Sequence, residues 1–170
     1  MIKPAAPPGT TSVPVAAKTA TTASSPSASD FSVLAQTAAT DVPSWVSGPA
    51  TDPEIAATES PAVSEARAVH PNGDISTTWY VIAGSGGLCL AMQDGGGCNS
   101  TANALAGKFV FSSGNEVIGV VPNAVTSVSV TGTSGIVTAK VVDNVYAATV
   151  PGFSAVTLSG ADGTQTLPLG

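Results

Sequence analysis

Apolar and polar positions are distributed in two different ways along this chain, and the change falls near Val69. Before it, Ala, Thr, Ser and Pro dominate and large apolar side chains are few. After it come short β-branched runs at Trp79–Ala83, Phe109–Ser112, Val117–Val121, Val125–Val130, Ile136–Val142, Val145–Val150 and Ala155–Leu158, separated by Gly, Asn, Asp and Pro. Val125, Ser127 and Ser129 against Thr126, Val128 and Val130 form the two faces of a half-buried strand. Turn signals at Gly84–Gly87, Ser113–Asn115, Thr131–Gly135, Asp143-Asn144 and Gly160–Gly163 fold these runs back on one another. Seven to nine such strands predict a mainly β fold, an antiparallel Ig-like β-sandwich, over residues 75–170.

Two zones precede it. Residues 1–30 form a low-complexity Pro/Thr/Ser/Ala-rich arm, which buries too little apolar surface to offset its ordering entropy and is expected to be extended. Residues 31–74 are transitional, with sparse anchors at Phe31, Val33, Leu34, Val42, Trp45 and Val46 that suit a segment lying across the β domain. Within this zone the spacing predicts a short helix over Pro61–Val69, with Ser60 as its cap. A second short helix is predicted at Thr101–Ala106, capped by Asn99 or Ser100 and ended by Gly107.

Composition narrows the function classes. Charged residues make up 9% of the chain, against about 25% in an average soluble protein. The formal net charge is −6, with five Lys and Arg in all and no basic cluster. That argues against nucleic acid, which needs a cationic stripe to displace counterions, and against a basic membrane-surface helix. Uninterrupted apolar stretches fall far short of the ~20 residues of a spanning helix. Met1-Ile2-Lys3-Pro4 lacks the apolar core of a secretory signal, which leaves a cytosolic chain or one whose signal is absent from this sequence.

Cys89 and Cys98 flank a segment containing Gly95-Gly96-Gly97. A disulfide there would close a loop of about ten residues and stabilise by roughly 2.5–3 kcal/mol on the chain-entropy model. Two buried free thiols are the alternative. Together with His70 the cysteines fall short of the four ligands of structural zinc, and no Cys-x-x-Cys is present.

From Trp79 onward the chain resembles a group of uncharacterised exported proteins of high-GC actinobacteria. The residues that carry the likeness are Trp79-Tyr80-Val81-Ile82-Ala83-Gly84, Gly87-Leu88-Cys89-Leu90, Cys98 with its Ala-rich turn, Gly119–Val128 and Asp143-Asn144-Val145-Tyr146-Ala147. The resemblance covers about 100 residues and implies an extracellular or envelope-attached domain with paired cysteines. It supplies a location and no chemistry, and the export signal of the group is missing here.

Candidate chemistry is sparse. His70 is the single histidine. Ser85, in Ala83-Gly84-Ser85-Gly86-Gly87, imitates a nucleophile elbow but has Ala83 where the elbow needs Gly, and a strand where it needs a helix. Gly84-x-Gly86 lacks the rest of a nucleotide fingerprint. Asp94, Glu116, Asp143 and Asp162 are the carboxylates a glycosidase or a calcium site would draw on, yet each lies at or beside a turn. The Asn99-Ser100-Thr101 acceptor sequence arises often by chance. Trp45, Trp79 and Tyr80 are candidate ligand or partner contacts. Strand geometry puts Trp79 and Tyr80 on opposite faces, one in the core and the other exposed.

The leading reading is a non-enzymatic, exported structural or adhesive module with one disulfide and no cofactor or metal. Its partner would be a second copy, reached through the N-terminal arm, or a cell-envelope component. A second reading is a module for cell-wall glycan, which requires an exposed aromatic beside polar groups in a groove. A third is a small hydrolase using His70.

Overall fold

The computed structural model describes residues 24–48 and 61–169, so residues 1–23 of the low-complexity arm lie outside it. Eleven described strands, all antiparallel, form three sheets. Sheet A is the meander β1 (Pro61–Val69), β2 (Trp79–Gly84), β3 (Gly87–Met92) and β4 (Gly95–Ser100). A short helix, α1 (Thr101–Leu105), leads to β5 (Phe109–Ser113) and β6 (Glu116–Val120), which with β9 (Val145–Thr149) form sheet B in the order β5-β6-β9. Sheet C has the order β11-β10-β7-β8, from β7 (Val125–Gly132), β8 (Gly135–Ala139), β10 (Ala155–Gly160) and β11 (Gly163–Pro168).

The mainly β, antiparallel sandwich is the architecture that forms, with three layers in place of two. Sheet B lies in the middle and is buried on both faces. Val117, Tyr146 and Ala148 point into one core with Val128, Val130, Val156 and Leu158 of sheet C. Ile118, Val120, Val145 and Ala147 point into the other with Trp79, Val81, Leu88 and Leu90 of sheet A. Numbered from β5, sheets B and C have the orders 1-2-5 and 7-6-3-4. The constant-type Ig orders are 1-2-5-4 and 3-6-7, so the two differ by transfer of the fourth strand to the other sheet. Sheet A is an addition to that sandwich.

Pro61–Val69 is a strand and not the helix expected from its spacing. A lone nine-residue helix is marginal, whereas β1 gains a ladder with β2, from Val69 opposite Trp79 to Ala66 opposite Ile82, with an irregular register between Ala66 and Pro61. Val69 packs into the A/B core and Ala66 into a third cluster on the outer face of sheet A. The irregular register between Pro61 and Ala66, with Ala66 and Val69 buried on opposite faces, erased the period-2 signal. The 31–74 segment is thus partly integral to sheet A, which begins before residue 75. The Thr101 helix forms as expected, with Ser100 Oγ accepting from Asn103 N at 3.2 Å and Gly107 at φ +70 ending it.

The transitional segment lies across its own β domain. Phe31 and Val33 are fully buried in the A/B core, and Val46 is buried with Trp45 and Val42 over the outer face of sheet A. Two asparagines hold it there. Asp143 and Asn144 both take positive φ, 51° and 66°, in a two-residue turn closed by reciprocal 2.9 Å bonds between Val142 and Val145. Buried Asn144 accepts from Val33 N at 2.9 Å and Ser32 Oγ at 3.0 Å, and donates to Val121 O at 3.0 Å and Asn123 Oδ1 at 2.9 Å. Asn123 Oδ1 accepts from Ser32 N at 2.7 Å, and its amide nitrogen donates to Ser29 O at 2.9 Å.

Cys89 and Cys98 are directly opposite on β3 and β4 and form a disulfide. The triple glycine is therefore strand β4, held by its ladder and the bridge. Among the described residues no helix is long and apolar enough to cross a membrane.

Candidate functional site

At one end of the molecule, three chain segments diverge and leave a groove of about 510 Å³ between sheets A and B. They are the 76–78 turn entering β2, the β3–β4 hairpin tip and the β5–β6 hairpin tip. The volume falls in the range of small-ligand sites, about 300–1,000 Å³. A smaller hollow of about 150 Å³ beside the end of α1 and the β10–β11 turn contains Asp162, and lies below that range.

The walls of the groove combine two chemistries. Phe111 and Met92 are half-buried apolar walls, and Trp79, 8% exposed, adds a smaller aromatic surface. Phe111 is steadied from behind by Phe109, with ring centroids 6.1 Å apart. Around them stand Gln93, Asp94, Ser112, Ser113, Glu116 and the 76–78 hydroxyls. Among the described residues neither Asp94 nor Glu116 has an ion pair; the one ion pair there joins Arg67 and Glu65 on β1. Both carboxylates are therefore free to meet a ligand. Gly95 at φ +149 and Gly96 start β4 without side chains, which keeps that side of the groove open.

The 74–78 turn is organised by Asp74, whose carboxylate accepts from Ser76 N at 2.9 Å and Ser76 Oγ at 2.7 Å. Those Ser76 bonds hold the Asp74 carboxyl below its ordinary 3.8, with smaller contributions from Thr77 and the His70 charge. His70 braces the same turn from behind, its Nδ1 3.1 Å from Thr77 O. Ser85 lies at the opposite end of sheet A, beyond Gly84, which pairs with Pro61, while His70 follows Val69, which pairs with Trp79. His70 and Ser85 are not brought together. Asp94 and Glu116 are, in the sense that both line the one groove. Asp143 and Asp162 are remote from it, at the arm clasp and beside the smaller hollow.

The aromatic candidates are reassigned. Trp79 and Tyr80 do face opposite ways, but neither is exposed, because both faces of β2 are covered. Tyr80 makes an edge-on contact with Trp45, centroids 5.6 Å apart, and both serve the packing of residues 37–46. Phe111, the main aromatic wall, was not singled out from sequence. The available signal was an aromatic two residues before a hairpin turn carrying Glu116. Among the described residues no group of three or more His, Cys, Asp or Glu is placed to hold a metal.

No protein-family model matches the chain, and neither a curated protein nor a solved structure matches it.

Proposed function

We propose that this chain is a non-enzymatic binding module of an exported protein and that it takes a neutral or amine-bearing cell-wall glycan in the Phe111 groove. The observation that carries this is the coexistence, in one groove, of an aromatic and aliphatic wall with unpaired carboxylates, an amide and several hydroxyls. A pyranose ring needs both: an apolar face to pack its C–H groups on, and polar groups to meet its hydroxyls. With two carboxylates and no Lys or Arg in the lining, the groove disfavours phosphate- or uronate-bearing polymers. The disulfide suits an oxidising compartment, in line with the extracellular or envelope location of the actinobacterial proteins it resembles.

An adhesive role is the weaker reading, because the anchors Phe31, Val33 and Val46 of the transitional segment are already buried in their own chain. A hydrolase built on His70 has least support, since that ring bonds a backbone carbonyl and braces a turn.

The test is co-sedimentation of the full chain with insoluble neutral and amine-bearing polysaccharides, alongside a phosphate-bearing polymer. Retention on the first two, weakened about tenfold or more by Phe111→Ala and by Glu116→Gln, is the expected result. Equal retention of wild type and Phe111→Ala, or no retention, would refute the assignment.

A further inference from the structure

Strand β8, Gly135–Ala139, is the edge of sheet C and is exposed over four of its five residues, with Ile136 at 71% and Val137 at 38%. Register fixes which backbone groups it offers. Thr131 O accepts from Ser154 N at 2.8 Å, so the Thr131 groups point to β10, away from β8. Its partner Ile136 is then at a non-hydrogen-bonded position, as is Thr138 opposite Ser129. The N–H and C=O of Ile136 and Thr138 therefore point outward from the sheet.

Two other edges carry protection of the kinds that prevent edge-to-edge pairing. The edge of β1 is covered by the arm, where Ala39 N donates to Ala66 O at 2.8 Å. β11 shows Thr164, Gln165 and Thr166 and ends at Pro168. β8 has no charge, no proline and no bulge.

We propose that β8 is a self-association strand. Two copies join edge to edge, antiparallel, about a two-fold axis through Val137, to make one continuous eight-stranded sheet. In that register Ile136 faces Thr138 of the second copy, and the outward groups form four reciprocal hydrogen bonds. Val137 lies on the same face as buried Ala139. It meets its own counterpart there, and the two B/C cores become contiguous. A second copy is the occupant that fits, because this short apolar strand is complementary to itself when reversed. The contact is small, so the dimer is weak and concentration-dependent. With a net charge of −6 on each chain, salt tightens it.

Sedimentation velocity over a concentration series tests this with the full chain. The expected result is a mass rising from one chain toward two. Thr138→Pro removes an outward N–H without touching the β7 ladder, and is expected to weaken association about ten- to a hundredfold. Val137→Cys tests the register independently of affinity. A Cys at the axis faces its twin at about 4.5 Å between Cα atoms and forms a linked dimer on mild oxidation. Ile136→Cys, offset by two residues from its twin, does not. A chain that stays monomeric throughout, an unchanged dimer in Thr138→Pro, or equal crosslinking of the two Cys variants would overturn the proposal.

Discussion

Replacing Asn144 by Ala removes the side chain that joins the arm to the sandwich. Its amide makes four hydrogen bonds, two of them to buried backbone: Val33 N–H and Val121 C=O. Each of those two groups, left without a partner, costs about 1–3 kcal/mol. The Ser32 hydroxyl and Asn123 are near enough to solvent to recover. Alanine at φ 66° adds about 1 kcal/mol, because it keeps the Cβ that crowds the carbonyl but lacks the polar side chain that lets Asn tolerate the left-handed region. The total is about 3–7 kcal/mol, a large share of the 5–15 kcal/mol that holds a domain together. Urea denaturation measures the loss, and amide exchange at Val33 locates it. Asn144→Gly keeps the left-handed backbone and is expected to recover only the last kilocalorie or so. An Asn144→Ala variant within about 1 kcal/mol of wild type, with Val33 exchange unchanged, would show that burial of Phe31 and Val33 alone holds the arm.

Further outcomes follow from single features. Tyr146 Oη is buried without a partner, so Tyr146→Phe is expected to stabilise by about 1 kcal/mol in the same urea assay. Burial also raises the Tyr146 phenol above its ordinary 10.0. The folded state then keeps a proton that the unfolded chain loses, so wild-type stability is level with respect to this group below pH 10. Above that it falls by about 1.4 kcal/mol per pH unit, a slope that Tyr146→Phe should abolish. Gly119 is opposite Tyr146, and a Cβ there would sit 2.6 Å from the ring. Gly119→Ala is expected to cost about 1–3 kcal/mol by overpacking, read as a lower urea midpoint. Asp74 titrates in the opposite sense to Tyr146. Its depressed pKa means the 74–78 turn is held above the ordinary 3.8 and released as pH falls through the lowered value. A carboxyl NMR midpoint at or above 3.8 would contradict this. Changing Cys89 and Cys98 together to Ser should cost about 2–3 kcal/mol, with the thermal midpoint as the readout.

Turn chemistry made most strand boundaries legible. Gly114, Asp143-Asn144 and Gly163 occupy backbone conformations their residue types favour, and strands β5 to β11 lie between such markers. Two strands were hidden for opposite reasons. β1 has an irregular register between Pro61 and Ala66 and buries Ala66 on one face and Val69 on the other, so its apolar positions do not alternate. β4 is glycine-rich and has little propensity of its own; its place is set by the ladder with β3 and by the Cys89–Cys98 bridge. The groove was harder to see. It exists only where segments near residues 78, 94 and 114 converge, and each of its polar residues read alone as ordinary turn chemistry. Asn144 illustrates the limit. Its residue type announced a turn, but the bond from Val33 spans 111 positions, and no local window contains both ends.

The middle position of sheet B has a bearing on how this chain can be cut and reused. Its outward face toward sheet A is finished by Phe31 and Val33, which precede every described strand. A fragment started at residue 75 would retain the ten strands from β2 onward but lose β1 and strip that face of Phe31 and Val33, leaving apolar surface in water. The portable unit therefore opens before Phe31, and recombination between Phe31 and the first described strand would break it as surely as a cut through the strands.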